Sequence, residues 1–320
     1  MKTTKVAFFG TSDRSKPILE CLHENFNLIL CATKSDRIVG RDRKSEETVV
    51  KKWANERGID VFEIASMKLD AEDLLKQLES TEIDLIVVAD FGFMVPKTIV
   101  EVFRNKIMNI HFSLLPKYRG ASPVQAAIIQ GEKETGVTFL LMTEELDSGD
   151  ILTQIKHPLT GNETSGELYQ TLFLKAKTML PETVDEFIKG TITPRKQDKK
   201  NAFFYYSPSH PKSTYIYKED AQINWNDPIE LIERKIRAFS PWPIAWTYLG
   251  ELKEIATPEG KIDPIKIRDS IDENLTLKIH SAKLEKGIDG RQALQPIQVQ
   301  VSGKNKIKWE EFRNGYSSLS

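Results

Sequence analysis

The sequence predicts an α/β fold in which residues 1–190 form a doubly wound domain with a mostly parallel sheet. Residues 191–212 read as a basic linker and residues 213–320 as a small antiparallel β-barrel. Three observations carry this reading. Continuous apolar runs of strand length, such as Val6-Ala-Phe-Phe9 and Leu85-Ile-Val-Val-Ala89, alternate with amphipathic stretches of helical length. Strands buried on both faces look like this, and their alternation with helices is the pattern of a parallel sheet. Beyond residue 213 the apolar residues recur in short alternating segments, at 245–249, 265–268, 275–281 and 297–301, as in a small barrel. Between the two regions Arg195, Lys196, Lys199, Lys200 and Lys212 face one acid, Asp198, while Pro194, Pro208 and Pro211 interrupt regular structure.

Taken in order, residues 5–9 form a strand, Gly10 a tight turn, and Ile18, Leu19 and Leu22 space out as a helix. Only Gly10 of a GxGxxG fingerprint is present, which speaks against a dinucleotide site. A strand follows at 26–32, then the segment 34–44 with five basic and two acidic residues. That segment fits a solvated loop as well as a phosphate-contacting one. Helices are predicted over 45–57 and 71–78, and strands over 59–64 and 85–90. The apolar loop Phe91-Gly-Phe-Met-Val-Pro96 follows a strand end, where ligands of open α/β sheets sit, so it fits either a pocket wall or core packing. Strands at 137–142 and 151–159 lie close enough for a hairpin-like return, giving an antiparallel edge. A long helix is predicted over 164–188, with Pro181 expected to kink or split it.

With 320 residues the chain has material for about two domains, and 40% apolar residues suffice for a core. The net charge of −1 leaves polyanion binding to local patches. The two cysteines, Cys21 and Cys31, sit in apolar surroundings and read as reduced core thiols; there is no metal-ligand spacing. The opening residues carry no signal-peptide pattern, and no apolar run is long enough to span a bilayer, so a cytoplasmic protein without membrane attachment is expected.

The stretch 107–123 is the chemical centre of the chain. It starts as an apolar strand but carries Asn109 and His111, two apart and hence on one side of the strand. A second polar cluster, Glu144-Glu-Leu-Asp-Ser-Gly-Asp150, follows another apolar strand. If Asp147 joins Asn109 and His111, the trio suits acyl transfer to an amine. The amide donates to an oxyanion, the imidazole handles a proton or supplies positive charge, and the carboxylate orients the ring and favours its charged form. No serine or cysteine stands in a nucleophile elbow, so direct attack by a substrate amine is the simpler scheme. Spacing alone fits equally a satisfied strand-end histidine and an unrelated turn carboxylate.

Asn109-Ile-His111, Ser113-Leu-Leu-Pro116, Tyr118-Arg-Gly120, Pro123, Gln125, Thr135-Gly-Val-Thr138 and Leu146-Asp-Ser-Gly-Asp150 together resemble the signature of the folate-dependent formyltransferase family. Ile236-Arg-Ala-Phe-Ser-Pro-Trp-Pro243, with Ile223-Asn-Trp225 before it and Gly303-Lys-Asn-Lys306 after it, is similar to the branch that acts on methionyl-tRNA. The resemblance implies a Rossmann-like catalytic domain followed by a C-terminal barrel like an oligonucleotide-binding fold. It implies an enzyme moving a formyl group from 10-formyltetrahydrofolate to the amino group of methionine on initiator tRNA, with no metal. Asn109, His111 and Asp147 are then the catalytic trio. Ser113, Leu114, Leu115 and Pro116 line the folate site, and Asp90, Phe91, Gly92 and Phe93 match the pterin-pocket loop. The loop with Arg41, Arg43 and Lys44 matches the segment that contacts the acceptor stem, and Lys196, Lys199 and Lys200 are expected to track the RNA backbone. A monomer is expected. The alternatives are a formyltransferase acting on an amino sugar-nucleotide or other small amine, and a non-catalytic RNA-binding homologue. The chain departs from the family pattern at Phe112, at Asp90-Phe-Gly92 and at the Ser-Glu-Glu-Thr that follows Lys44.

Overall fold

A computed structural model describes residues 3–39, 44–252, 255–256, 262–263, 266–286 and 292–317, with the backbone alone for 37–39, 44–45, 255–256 and 262–263. Its elements in chain order begin with β1 (Lys5–Phe9), α1 (Lys16–Asn25), β2 (Asn27–Lys34), β3 (Arg37–Val39), β4 (Lys44–Glu46), α2 (Val49–Asn55), β5 (Asp60–Ile64) and α3 (Met67–Ser80). They continue with β6 (Leu85–Ala89), α4 (Lys97–Val102), β7 (Ile107–His111), α5 (Pro123–Gln130), β8 (Glu134–Leu141), β9 (Ile151–Pro158) and α6 (Ser165–Ile188). The C-terminal part holds α7 (Ile229–Ala238), β10 (Ala245–Tyr248), β11 (Ile255–Ala256), β12 (Ile262–Asp263), β13 (Thr276–Lys286), β14 (Gln292–Val301), β15 (Ile307–Lys308) and α8 (Trp309–Tyr316).

The seven-stranded sheet runs β5-β2-β1-β6-β7-β8-β9. From β5 to β7 neighbouring strands are parallel, and β8 and β9 close the edge antiparallel. The α/β class and its antiparallel edge are those expected from the sequence. β6 is buried at every residue, which is why it reads as one apolar run rather than an alternation. β7 lies between β6 and β8, with Asn109 opposite Val88 and His111 opposite Thr138. Its C-terminal end therefore opens in the interior of the sheet, where ligands of α/β folds bind.

Several boundaries differ from expectation for local reasons. α2 starts at Val49 because Thr48 caps it, its Oγ1 accepting the Lys51 N–H at 3.1 Å. The residues just before it pair instead as β3 with β4. α3 starts early, at Met67, where Asp70 Oδ2 accepts the N–H groups of Ala65 and Ser66 at 2.8 Å each. Pro181 does not split α6. A proline four residues on removes the donor for the Lys177 carbonyl, and the Cys21 thiol takes that place, donating to Lys177 O at 3.4 Å.

The chain groups into two compact units, Met1–Gly120 with Glu134–Pro158 and Tyr169–Phe204, and Ala121–Lys133 with Leu159–Leu168 and Tyr205–Ser320. In the second, β10-β13-β14-β15 form an antiparallel sheet whose core includes Leu277, Ile279, Leu294 and Val299, with α7 packed on β13. β14 begins at Gln292, earlier than the sequence predicts, and Ile267 makes an isolated bridge to Ser317. Among the described residues no helix is long and apolar enough to cross a membrane.

Candidate active site

β7 presents Asn109 and His111 on one side, and the loop after β8 brings Asp147 to them. Asn109 Nδ2 donates to Asp147 Oδ1 at 3.2 Å. His111 Nδ1 stands 3.5 Å from Asp147 Oδ2. The same Oδ2 accepts the Gly120 backbone N–H at 2.7 Å. The three side chains predicted from distant parts of the sequence thus share one cluster. The His111 and Asp147 side chains are only 6% and 9% exposed, so water screens their interaction weakly.

The tautomer follows from the partner on the far side of the ring. His111 Nε2 is 2.8 Å from the Tyr118 carbonyl oxygen. A carbonyl only accepts, so Nε2 carries a proton. In the neutral ring Nδ1 is then the bare nitrogen. A second proton on Nδ1 makes the ring cationic and turns an N–H toward Asp147.

Backbone geometry holds the carboxylate in place. Asp147 has φ +48° and Tyr118 φ +59°, both in the left-handed region that non-glycine residues seldom adopt. Gly149 follows closely, where a Cβ would overlap the Leu141 carbonyl. Only glycine lets the loop pass that strand end so tightly.

The turn expected to line the folate site is fixed by β8 and β9. Thr138 Oγ1 donates to Ser113 O at 2.6 Å and accepts the Leu115 N–H at 3.2 Å. Gln154 Nε2 donates to Leu115 O and to Thr138 Oγ1, at 2.9 Å each. Ser113 Oγ donates to Lys117 O at 2.6 Å, and the Leu115–Pro116 peptide is cis. Gly136 leaves room for Leu114, whose Cδ2 would stand 2.6 Å from a Cβ there.

The loop after β6 is tied to the loop after β1. The Asp90 carboxylate accepts from Ser12 Oγ and from Arg14, with Nε at 2.9 Å and the second guanidinium nitrogen at 2.8 Å. Thr11 donates its N–H to Asp90 O at 3.2 Å, and its Oγ1 accepts the Gly92 N–H at 3.0 Å. Asp90 therefore anchors the loop from inside. Phe91 and Phe93 meet edge to face at 5.5 Å and pack against the core that contains Phe9. The other departure, Phe112, packs 4.1 Å from the Phe173 ring of α6.

Sequence reasoning missed the groups that hold the trio: Tyr118 O, the Gly120 N–H, and Gln197. Gln197 lies in the segment read as a linker, which is pinned on either side of it, at Arg195 and at Phe203. Arg195 and Ile151 exchange two backbone hydrogen bonds at 2.8 Å, Phe203 N donates to Pro116 O at 3.1 Å, and Arg119 N donates to Phe203 O at 2.9 Å. Tyr118 and Gly120 stood in the recognised motif, but no letter of the sequence marks which backbone atom is used.

Comparison with known proteins places this geometry. The family described as "Formyl transferase" matches residues 4–184, and "Formyl transferase, C-terminal domain" matches residues 215–317. A methionyl-tRNA formyltransferase of Listeria innocua is 36% identical over 98% of this chain and 96% of its own length. One from a Geobacillus species is 33% identical over 97% of this chain and 94% of its own. The chain belongs to the methionyl-tRNA formyltransferase family. It is an enzyme of folate-dependent formyl transfer.

Solved structures share the fold of this formyltransferase at lower identity. An N-formyltransferase from Helicobacter canadensis, in complex with folinic acid and dTDP-3-aminofucose, aligns over 92% of this chain and 99% of its own with TM-score 0.60 and 20% identity. A phosphoribosylglycinamide formyltransferase from Anaplasma phagocytophilum covers 63% of this chain and 98% of its own with TM-score 0.53 and 21% identity.

The residues expected to contact RNA are placed less evenly. Arg41 and Arg43 lie outside the described residues, and Lys44 enters through its backbone in β4. Lys196, Lys199 and Lys200 are exposed. Among the described residues no group of three His, Cys, Asp or Glu is arranged to hold a metal ion.

Proposed function

We propose that Asn109, His111 and Asp147 transfer the formyl group of 10-formyltetrahydrofolate to the α-amino group of methionine on initiator tRNA, by direct attack. The observation that carries this reading is the sharing of Asp147: one oxygen takes the Asn109 amide and the other faces His111 Nδ1. The Asn109 amide has two N–H groups. One is committed to Asp147, and the other serves the oxyanion formed on the formyl oxygen. Because Nε2 is engaged by Tyr118 O, the working nitrogen of His111 is Nδ1. Protonated there, it adds positive charge beside the oxyanion, and Asp147 balances that charge.

As the tetrahedral intermediate collapses, the methionyl nitrogen keeps the formyl carbon and loses a proton. N10 of the folate loses the carbon and takes a proton. His111 and Asp147 carry the protons between them. The Ser113–Pro116 turn and the Asp90–Phe93 loop form the folate site. Phe91 and Phe93 provide the apolar wall, and Asp90 acts as anchor rather than ligand. Residues 1–190 are the catalytic domain, and residues 213–320 with the basic segment 191–212 carry RNA. Lys196, Lys199 and Lys200 contact its backbone, as do Arg41, Arg43 and Lys44. The enzyme is a cytoplasmic monomer.

The test is formyl transfer from 10-formyltetrahydrofolate to charged initiator tRNA, intact or ribonuclease-treated, beside an amino sugar-nucleotide. Turnover that needs intact tRNA is expected. Turnover with the sugar-nucleotide and none with tRNA would hand the site to the alternative acceptor.

A further inference from the structure

We infer that Gln197 is a positioning residue that sets Asp147 against Asn109 and His111; this rests on the proposed role of Asp147 in the transfer. The Gln197 amide joins the two backbone segments that build the site. Its Nε2 donates to the carbonyl oxygens of Asp147 and Gly149, at 2.8 Å each. Its Oε1 accepts from Arg119, from Nε at 3.2 Å and from a terminal guanidinium nitrogen at 2.9 Å. Two donors and two acceptor sites are what a primary amide has, and all four are used.

The placement of Arg119 matters. It is 4% exposed, and its chain neighbours are the two residues whose backbones hold the trio. Tyr118 O takes His111 Nε2, and Gly120 N–H takes Asp147 Oδ2. One side chain therefore closes a ring running from His111 through Tyr118-Arg119-Gly120 to Asp147. Asp147 also has the φ of +48° that its backbone would leave if nothing held it. A hydrogen bond to the carbonyl of that same residue resists the relaxation.

The segment carrying Gln197 does not depend on it for attachment. Arg195 pairs with Ile151 on one side, and Phe203 bonds Pro116 and Arg119 on the other. Arg195 and Gln197 are two apart. Arg195 donates to Gln154 Oε1 at 2.8 Å, and Gln154 in turn holds the Leu115 carbonyl. Lys196 between them is exposed, as is Arg195, while Gln197 is half-buried. Removing the Gln197 amide should loosen the Asp147 loop while leaving the brace in place.

The experiment is a double-mutant cycle on the full chain, measuring steady-state formyl transfer to charged initiator tRNA and the melting temperature. Gln197→Ala is expected to lower kcat about 10- to 100-fold, the scale of a small misplacement of a reacting group. KM for the formyl donor should move less than about 3-fold, since the folate turn is held by Thr138 and Gln154. In an Asp147→Asn background the same change should cost less than about 3-fold, because the group it positions has already been altered. Equal fold losses in both backgrounds, or unchanged kcat in Gln197→Ala, would overturn the inference. If Gln197→Ala does not fold, Gln197→Met fills the same space without hydrogen bonds and runs the same cycle. Near-normal turnover of Asp147→Asn alone would instead sink the proposed role of Asp147, so the two failures are distinguishable.

Discussion

The Asn109 amide donates to Asp147 at 3.2 Å across a sequence separation of 38 residues. That bond fixes the amide plane, and in the proposed mechanism the second N–H serves the oxyanion. Asn109→Ala should therefore lower kcat about 100- to 1000-fold, the usual scale for losing one oxyanion donor. KM for either substrate should change far less, because the interaction develops only as the oxyanion forms. Steady-state kinetics on the folded variant checks this; near-normal turnover would remove Asn109 from the role.

Part of this site was legible in the sequence. Asn109 and His111 are two apart in an apolar strand, so their shared side of β7 follows from strand geometry alone. That β7 is a strand follows from its apolar residues, Ile107, Met108 and Ile110, whereas its place between β6 and β8 is a finding of the structure. Asp147 was different: it entered as a hypothesis from a polar cluster that follows an apolar strand, nothing in its spacing points to β7, and the family resemblance then supported the grouping. The groups that hold the trio were not legible. Tyr118 O and the Gly120 N–H are backbone atoms whose directions depend on local φ and ψ. Gln197 lay in a stretch read for its charge, where one neutral amide carries no signal. The continuity of α6 through Pro181 was hidden for a similar reason, since the compensating thiol comes from α1.

That thiol gives a second prediction. Cys21 is buried and donates to the carbonyl that Pro181 leaves without its helical donor. Cys21→Ala should cost about 0.5–1.5 kcal/mol through the unsatisfied Lys177 carbonyl. Cys21→Ser keeps a donor and should lose less. Urea unfolding of the two variants decides it. Burial also pushes the Cys21 thiol up to about 11 and that of Cys31 to about 12, so neither should react with a thiol reagent at pH 8 before unfolding.

Gly149 should tolerate no side chain. A Cβ would meet the Leu141 backbone oxygen, which cannot swing aside as a flexible side chain could. The loop must then shift, carrying with it the carbonyl that Gln197 holds and the neighbouring Asp147. Gly149→Ala should reduce kcat by at least about 10-fold through displacement of the carboxylate. Gly161 is a control, because nothing lies within 4 Å of its Cβ position and only its φ of +91° opposes alanine. Gly161→Ala should affect stability and leave kcat in place.

Lys196, Lys199 and Lys200 are exposed on a segment whose backbone is anchored at Arg195 and Phe203. If they neutralise phosphates, replacing all three by alanine should flatten the salt dependence of kcat/KM for charged tRNA. The slope of log kcat/KM against log salt should fall by about 0.9 for each duplex-RNA phosphate left without its lysine, by analogy with duplex DNA. Turnover at saturating tRNA should hold, since none of the three touches the trio. An unchanged slope would assign their charge to solvation.

Glu163 supplies a pH dependence of stability. Its Oε1 accepts the Thr160 N–H at 2.7 Å and the Thr160 hydroxyl at 2.8 Å, and its Oε2 accepts the Gly161 N–H at 3.0 Å. Burial pushes the carboxyl up, but the hydrogen bonds from Thr160 and Gly161 outweigh it and bring it from the ordinary 4.5 down to about 2. A group depressed in the folded state stabilises fully above its unfolded pKa, where both states are ionised. As the pH falls below about 4.5 the unfolded chain takes up the proton first, and the contribution is lost on the way to about 2. Glu163→Gln has no such proton to bind. The melting-temperature gap between wild type and Glu163→Gln should therefore be constant above about pH 5.5 and close steadily with further acidification. Calorimetry on both proteins from pH 7 downward measures it, and a gap that widens in acid would show that Glu163 is not held ionised by this turn.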